Sequence, residues 1–319
     1  MDNNIKKCVA NNYKLYYSDN HEILLKIKKL LDEMDNNYFT KTTLNEKVLD
    51  KNTISIVMTS CDRSVQTYFT LKTISQSLYK NIQIIIVDDS TSDLIDIEKL
   101  KEFNLHIDFI QIKNKFWINP CVGYNIGFRH VKGGKIIIQN AEVCHIGDVI
   151  QQVNDKVIDN NYYVFNVYAF KGLEENNELY EAEKNNIMNP SHVVTIYGQW
   201  YQHSQHRCVN LHFLTAITAK TFEKIIEFDI DYAIAIDYDD NDLIYRITTN
   251  NINIINMPET IMGVHQWHRQ TSSGSGTGRI SNIHIFYKKI NYFNINKSFL
   301  KLTSFNNNND AMKIIEQWL

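Results

Sequence analysis

Apolar positions along the chain change their repeat at a few points. In residues 21–35, HEILLKIKKLLDEMD, the apolar side chains Ile23, Leu24, Ile27, Leu30 and Leu31 recur at helical intervals, which predicts an amphipathic helix ahead of the main domain. From residue 52 the texture differs: NTISIVMTSCDRS is a β-branched run ending in small and polar residues, and a helical pattern follows from Val65 to Leu78. The unit recurs. IQIIIVDDSTSD, HIDFIQI and KIIIQNAE read as further strands, with helical stretches near Leu94–Phe103 and Val122–Val131 between them. Strands that are apolar almost throughout and alternate with helices predict an α/β fold, with a mostly parallel sheet covered on both faces.

After Ile150 the pattern loosens. NYYVFNVYAF reads as a strand, GLEENNELYEAEKNN as a polar helix or excursion, and HFLTAITAKTFEKIIEF as a strand followed by a helix. DYDDNDLIYRITTN predicts a helix with acids in its first turn, INIINM a strand, and IMGVHQWHRQ a strand or loop. TSSGSGTGR is Gly/Ser-rich and reads as a mobile loop, and residues 280–319 as a helical tail broken at FNNNND. The expected organisation is a helical extension over 1–50, one domain over 51–270 with halves meeting near 150, and a loop and tail over 271–319.

Composition narrows the classes. With 319 residues and 44% hydrophobic content the chain can bury a full core, and no apolar run approaches the roughly 18 residues a membrane span needs. The start, MDNNIKKCVANNY, lacks the apolar stretch of a signal peptide, so a soluble cytoplasmic protein is expected. Cys8, Cys61, Cys121, Cys144 and Cys208 form no C-x-x-C pair, which points to free thiols. A net charge of −3 gives no basic field for nucleic acid.

Ligands of such sheets bind beyond the carboxyl ends of the strands, here Thr59–Arg63, Asp88–Ser90 and Asn140–Glu142. Asp88 and Asp89 suit the hydroxyls or base of a nucleotide, but taken alone they read rather as a solvated turn with Asp as a helix cap. Glu142, at the tip of a buried strand, suits a divalent cation held against a diphosphate. One carboxylate is too few, and His265 and His268 in HQWH are the available partners; imidazole favours manganese over magnesium. Alone, they read as surface histidines. Asp239, Asp240 and Asp242 cluster at a helix start, as a general base or as caps.

Taken in order, TSCDRS, IIIVDDSTSD, YNIGFRHVKGGKIIIQNAEV, WYQHS, HFLTAITAKTFEKIIEFD, YDDNDLIYRI and HQWH resemble a family 2-type glycosyltransferase with the GT-A fold, a Rossmann-like sheet, over Thr53–Arg269. The segment Asp239-Asp240-Asn241-Asp242-Leu243 is also similar to the G-x-E-D-x-D-L motif of β-1,4-galactosyltransferases. The resemblance implies a UDP-sugar donor, a glycan or glycoprotein acceptor and an inverting transfer. It puts Thr59, Cys61, Arg63, Asp88, Asp89, Ser90 and Asn125 on the nucleotide. The family's D-x-D falls on Asn140-Ala141-Glu142, so an amide replaces the first acid, while Glu142 keeps the metal position and Asn140 can bond ribose or water. Asp240 becomes the base, Asp239 orients the acceptor, and Asp242 is a helix contact. His265, with His268 as fallback, becomes a ligand of a divalent cation, manganese rather than magnesium. Trp200 offers a flat surface to a sugar, or else packs in the core, and His203 is its polar partner. The loop Thr271–Gly278 is expected to order over the donor.

Three rivals are weighed. Asn140 admits a nucleotide-sugar binder without catalysis. A sugar-phosphate nucleotidyltransferase would carry a Gly-rich basic loop where TSCDRSVQT has no glycine. A hydrolase on His192, His203, His206, His212, His265 and His268 lacks metal-binding spacing.

Overall fold

A computed structural model describes residues 21–269 and 282–304. The expected loop at 271–278, the break at FNNNND and Cys8 lie outside the described residues.

The first half contains α1 (His21–Glu33), β1 (Phe39–Leu44), β2 (Ile54–Ser60), α2 (Ser64–Ser75), β3 (Ile82–Asp88), α3 (Ile97–Lys101), β4 (His106–Ile112), α4 (Cys121–Phe128), β5 (Lys135–Asn140), β6 (Val143–Ile146) and α5 (Val149–Lys156). The second half contains β7 (Asn161–Val164), β8 (Asn166–Phe170), α6 (Leu173–Lys184), α7 (Pro190–Val193), β9 (Gly198–Gln202), β10 (Leu214–Thr218), α8 (Ala219–Ile225), α9 (Asp239–Thr249), β11 (Asn253–Asn256), β12 (Met262–His265) and α10 (Ile283–Asn296).

An eight-stranded sheet runs in the order β1-β4-β3-β2-β5-β10-β7-β11. Its centre is parallel: β2 pairs in this sense with β3 and β5, and β3 with β4. Every residue of β3 is buried, as is nearly all of β2, because helices cover both faces. Helix α4 lies so close to the sheet that a Cβ on Gly127 would come within 2.6 Å of a Val57 methyl, so glycine there is a packing requirement.

Two departures from the sequence reading matter for the site. Residues 39–44, within the expected helical extension, form an edge strand antiparallel to β4. Only Phe39 and Leu44 at its ends are buried, so FTKTTL carries no alternating signal. Residues 161–170, expected as one strand, are two: β7 belongs to the large sheet, and β8 to a second sheet ordered β6-β12-β8-β9. The crossing is at Phe165, which is fully buried between buried Val164 and Asn166, so no exposed residue marks the break.

The carboxyl end of the described chain is bolted to the domain. Lys289 of α10 is 6% exposed, and its ammonium lies 2.5 Å from Asp229 and 2.6 Å from Asp231. It also donates to the Leu300 carbonyl, and Asp231 accepts the Leu302 N–H, so this buried charge triad is compensated on all sides. Just before α10, Asn282 donates its side-chain amide to the carbonyls of Tyr232 and Asp237 and its backbone N–H to Ile236. That segment leads directly into α9.

Candidate active site

The tips of β2 and β3 are stitched together. Asp62 sits at φ 54°, a left-handed conformation that aspartate tolerates better than most residues, and its carboxylate accepts the N–H groups of Thr91, Ser92 and Asp93 at 2.8–2.9 Å. Burial opposes the charge, but these donors outweigh it and hold the carboxyl at about 2. Ser90 accepts the Asp62 N–H and donates to Asp88, while Asp93 accepts both the N–H and the hydroxyl of Ser64. Thr59, Cys61, Arg63, Asp88, Asp89 and Ser90 are thereby collected at one edge of the sheet. Asp88 is 1% exposed, with one oxygen unpartnered, and burial pushes its carboxyl up to about 6. Asp89 pairs with Lys115. Burial and the neighbouring Asp89 push the Cys61 thiol up to about 12, so it is no nucleophile. Asp62 lay within the expected strand end Thr59–Arg63 but was not singled out there, and its sequence signal is an acid two residues after a strand.

Asn125 is not at this edge in any usable sense. Its amide is spent on the backbone of Phe228, donating to the carbonyl at 2.8 Å and accepting the N–H at 2.9 Å. At 1% exposure it clamps α4 to the 228 segment and has no group left for a donor.

After β5 the chain turns at Ala141-Glu142 and returns as β6 in the second sheet, which puts Glu142 where the sheets meet. Register seats β12 beside it, with His265 opposite Val143. Gln266, fully buried, donates its N–H and its side-chain amide to the Glu142 carbonyl and reaches Thr70 and Gln66. Asn176 of α6 pairs with both backbone groups of Trp267. The HQWH segment is therefore fixed by its middle pair: Gln266 and Trp267 anchor it while His265 and His268 face the acid.

Glu142, 1% exposed, has one carboxylate oxygen 2.6 Å from Arg63, 3.2 Å from His265 Nε2 and 3.6 Å from His268 Nε2. Its other oxygen is buried without a partner. Burial works against its charge, yet Arg63 first and then the histidines hold its carboxyl well below the usual range. His268 Nδ1 donates to the Arg269 carbonyl, which leaves Nε2 as a lone pair, and burial together with Arg63 lowers its pKa, so the ring is neutral. A carboxylate oxygen and two imidazole nitrogens within 4.8 Å of one another, with an orphaned carboxylate oxygen beside them, fit a divalent cation of the imidazole-accepting kind. Asn140 supports the acid: its oxygen accepts from Tyr124 at 3.1 Å and its amide reaches Glu142 at 3.5 Å.

The acid pair opens α9 after two successive left-handed residues, Asp237 (φ 63°) and Tyr238 (φ 67°). Tyr238 is held there by packing on Phe286 of α10, with ring centroids 5.3 Å apart. Asp239, 5% exposed, accepts from Asn119 at 2.9 Å and keeps one oxygen unpartnered; burial, then the charge of Asp240, pushes it up to about 7. Asp240 is half-buried, and burial raises it also. Asp242 is taken by Arg246 at 2.7 Å and Tyr232 at 3.2 Å, a helix contact.

The Glu142 cluster and the acid pair lie near each other: besides burial, the charges of Glu142 and Asp240 both push up the hydroxyl of half-buried Tyr201, and those of Glu142 and Asp239 push up that of buried Tyr124. Trp200 is elsewhere: its ring meets Tyr168, His203 and His206 on the far face of the second sheet. His203 is 2% exposed and lies 3.2 Å from Glu259, away from Glu142.

Comparison with known proteins is decisive for the family. The glycosyl transferase family 2 model matches residues 55–215, half of the chain. The chain belongs to glycosyl transferase family 2. An uncharacterized glycosyltransferase of Rickettsia conorii is 22% identical over 141 residues, 44% of this chain and 23% of that protein, so the chain spans under a quarter of the length of this relative. Among solved structures, S. aureus TarS 1-349 in complex with UDP-GlcNAc superposes with a TM-score of 0.56 at 9% identity, covering 83% of this chain and 71% of that one. A longer TarS structure gives 0.50 at 10% identity, covering 67% and 37%. The fold is the GT-A fold of family 2. The family match ends before Asp239, so the acid pair rests on its own geometry.

Asp239 gives this family 2 site a pH signature. Its carboxyl stands at about 7 in the fold, against roughly 4 in an unfolded chain. Folding therefore favours the protonated form; that contribution is complete below about pH 4 and is lost as pH rises through about 7. Asp239→Asn mimics the protonated group. Its melting temperature should match the parent near pH 4.5 and exceed it increasingly towards pH 8, measured by thermal melts across pH; a flat difference would refute the assignment.

Proposed function

We propose that the protein transfers a sugar from a UDP-sugar to a hydroxyl acceptor on a glycan or glycoconjugate, with inversion. The observation that carries this reading is the convergence of Glu142, His265 and His268 beyond the carboxyl end of β5 in a family 2 chain, with the raised carboxyls of Asp239 and Asp240 opening α9 nearby. Family membership supports sugar transfer, and the complexes of TarS with UDP and UDP-GlcNAc support uridine as the base.

Glu142, His265 and His268 would hold a divalent cation, manganese in preference to magnesium, whose charge neutralises the diphosphate leaving group. Arg63, already against Glu142, faces the same phosphates. Asp88 and Ser90 offer acceptors to the nucleoside. Asp240 takes the proton of the acceptor hydroxyl as that oxygen bonds to the anomeric carbon; the bond from that carbon to the diphosphate breaks, and UDP leaves with the electron pair. Attack from the opposite face converts an α-linked donor into a β-linked product. Asp239 orients the acceptor beside it.

Thermal melts with UDP, UDP-sugars and nucleoside triphosphates, with and without manganese, test this reading, followed by donor-hydrolysis assays. Stabilisation by UDP compounds that manganese strengthens is expected. Stabilisation by nucleoside triphosphates alone would replace it with nucleotidyl transfer, and UDP binding without any turnover would reduce it to a binding protein.

A further inference from the structure

The second sheet contains a defect with a purpose. Along β8 and β9, Val167 pairs with Gln202 and the next residue, Tyr168, pairs with Trp200, so Tyr201 is an extra residue without a partner in the ladder. Such a bulge re-aims a side chain, and bulges concentrate beside active sites. In a regular strand one residue faces each side in turn. Here Trp200 follows Tyr168 to the far face, and Tyr201 turns to the face of His265: its ring stacks on Phe213 at 4.1 Å and meets His265 at 4.7 Å, and the exposed side chain of Arg207 lies 5.1 Å over it. His265 in turn touches Glu142. The ring thus begins beside the Glu142 cluster and is partly exposed.

We infer that Tyr201 is the residue on which the transferred sugar packs, and that it sets which sugar the site accepts. The inference rests on the proposed UDP-sugar reading. In that reading the sugar must lie after the diphosphate at Glu142, and the Tyr201 ring stands beside His265, which contacts that acid. The apolar face of a pyranose stacks on an aromatic ring, and a phenol hydroxyl adds a donor for one ring substituent. Trp200, the aromatic one position earlier, is excluded by strand geometry rather than by chemistry.

The test compares affinities for UDP and for a panel of UDP-sugars (UDP-glucose, UDP-galactose and UDP-N-acetylglucosamine) by calorimetric titration with manganese present, in the parent, Tyr201→Ala and Tyr201→Phe. In Tyr201→Ala the gain in affinity of the best UDP-sugar over UDP should shrink about tenfold while UDP affinity moves less than about threefold. Tyr201→Phe keeps the ring and removes only the hydroxyl, so it should retain most of that gain while changing the ranking of the sugars. A parallel fall of UDP and UDP-sugar affinity in both variants would make Tyr201 a support for His265 and overturn the inference, as would an unaltered ratio in Tyr201→Ala. Failure of the parent to bind any uridine compound would instead strike the proposed function itself.

Discussion

Asp240→Asn should lower turnover about 1,000-fold while leaving UDP affinity and melting temperature close to those of the parent. The substitution keeps the shape and the one local contact seen, since an asparagine oxygen still accepts the Asn241 N–H as the carboxylate does at 2.7 Å. What it removes is the ability to take a proton. Burial, and after it the charge of Asp237, raise the Asp240 carboxyl above its ordinary value, and in the proposed reading loss of the group is a loss from the transition state alone. UDP release with acceptor present, alongside UDP titration, separates the two effects. Turnover within a few-fold of the parent would transfer the role to Asp239 or end the acid-pair assignment.

Glu142→Gln should abolish the manganese dependence of UDP binding, a loss of about 100-fold in the cation-assisted affinity. The same change should destabilise the fold. Arg63 would keep its charge against a neutral amide, and breaking a buried pair on one side costs about 3 kcal/mol, at the lower end because Arg63 is 20% exposed. Adding Arg63→Met separates the two consequences: the double variant should recover stability in urea but not the response to manganese. If manganese strengthens UDP binding to Glu142→Gln as it does in the parent, the cation lies elsewhere.

The central strands were legible because burial on both faces made them continuous runs of Ile and Val, and their polar tips marked the cleft. Glu142 stood out as an acid ending a buried strand, and His265 outranked a surface histidine only through the family resemblance; that they meet, although 123 residues apart, depended on β6 and β12, two four-residue strands too short to carry a period. Edge strand β1 escaped because its middle is exposed. Asn125 looked available because a sequence displays an amide but not the Phe228 backbone that consumes it. Trp200 and Tyr201 were inseparable for a related reason: which of two adjacent aromatics enters a cleft is decided by a one-residue bulge, and a bulge leaves no trace in the order of residues. Gln266 and Asn176, which fix the histidine segment, looked like ordinary polar residues on a loop and a polar helix.

The anchoring of the acid pair by Asn282 and Phe286 bears on how the protein is made. Ribosomal synthesis delivers the nucleotide-facing strands first, and they can pair as soon as β5 emerges. The backbone at Asp237 and Tyr238, costly to hold alone, gains its support only when residues some 45 positions later are threaded out and docked. The acid pair thus settles last, and a nascent chain halted before α10 would carry the Glu142 cluster with Asp239 and Asp240 not yet aimed.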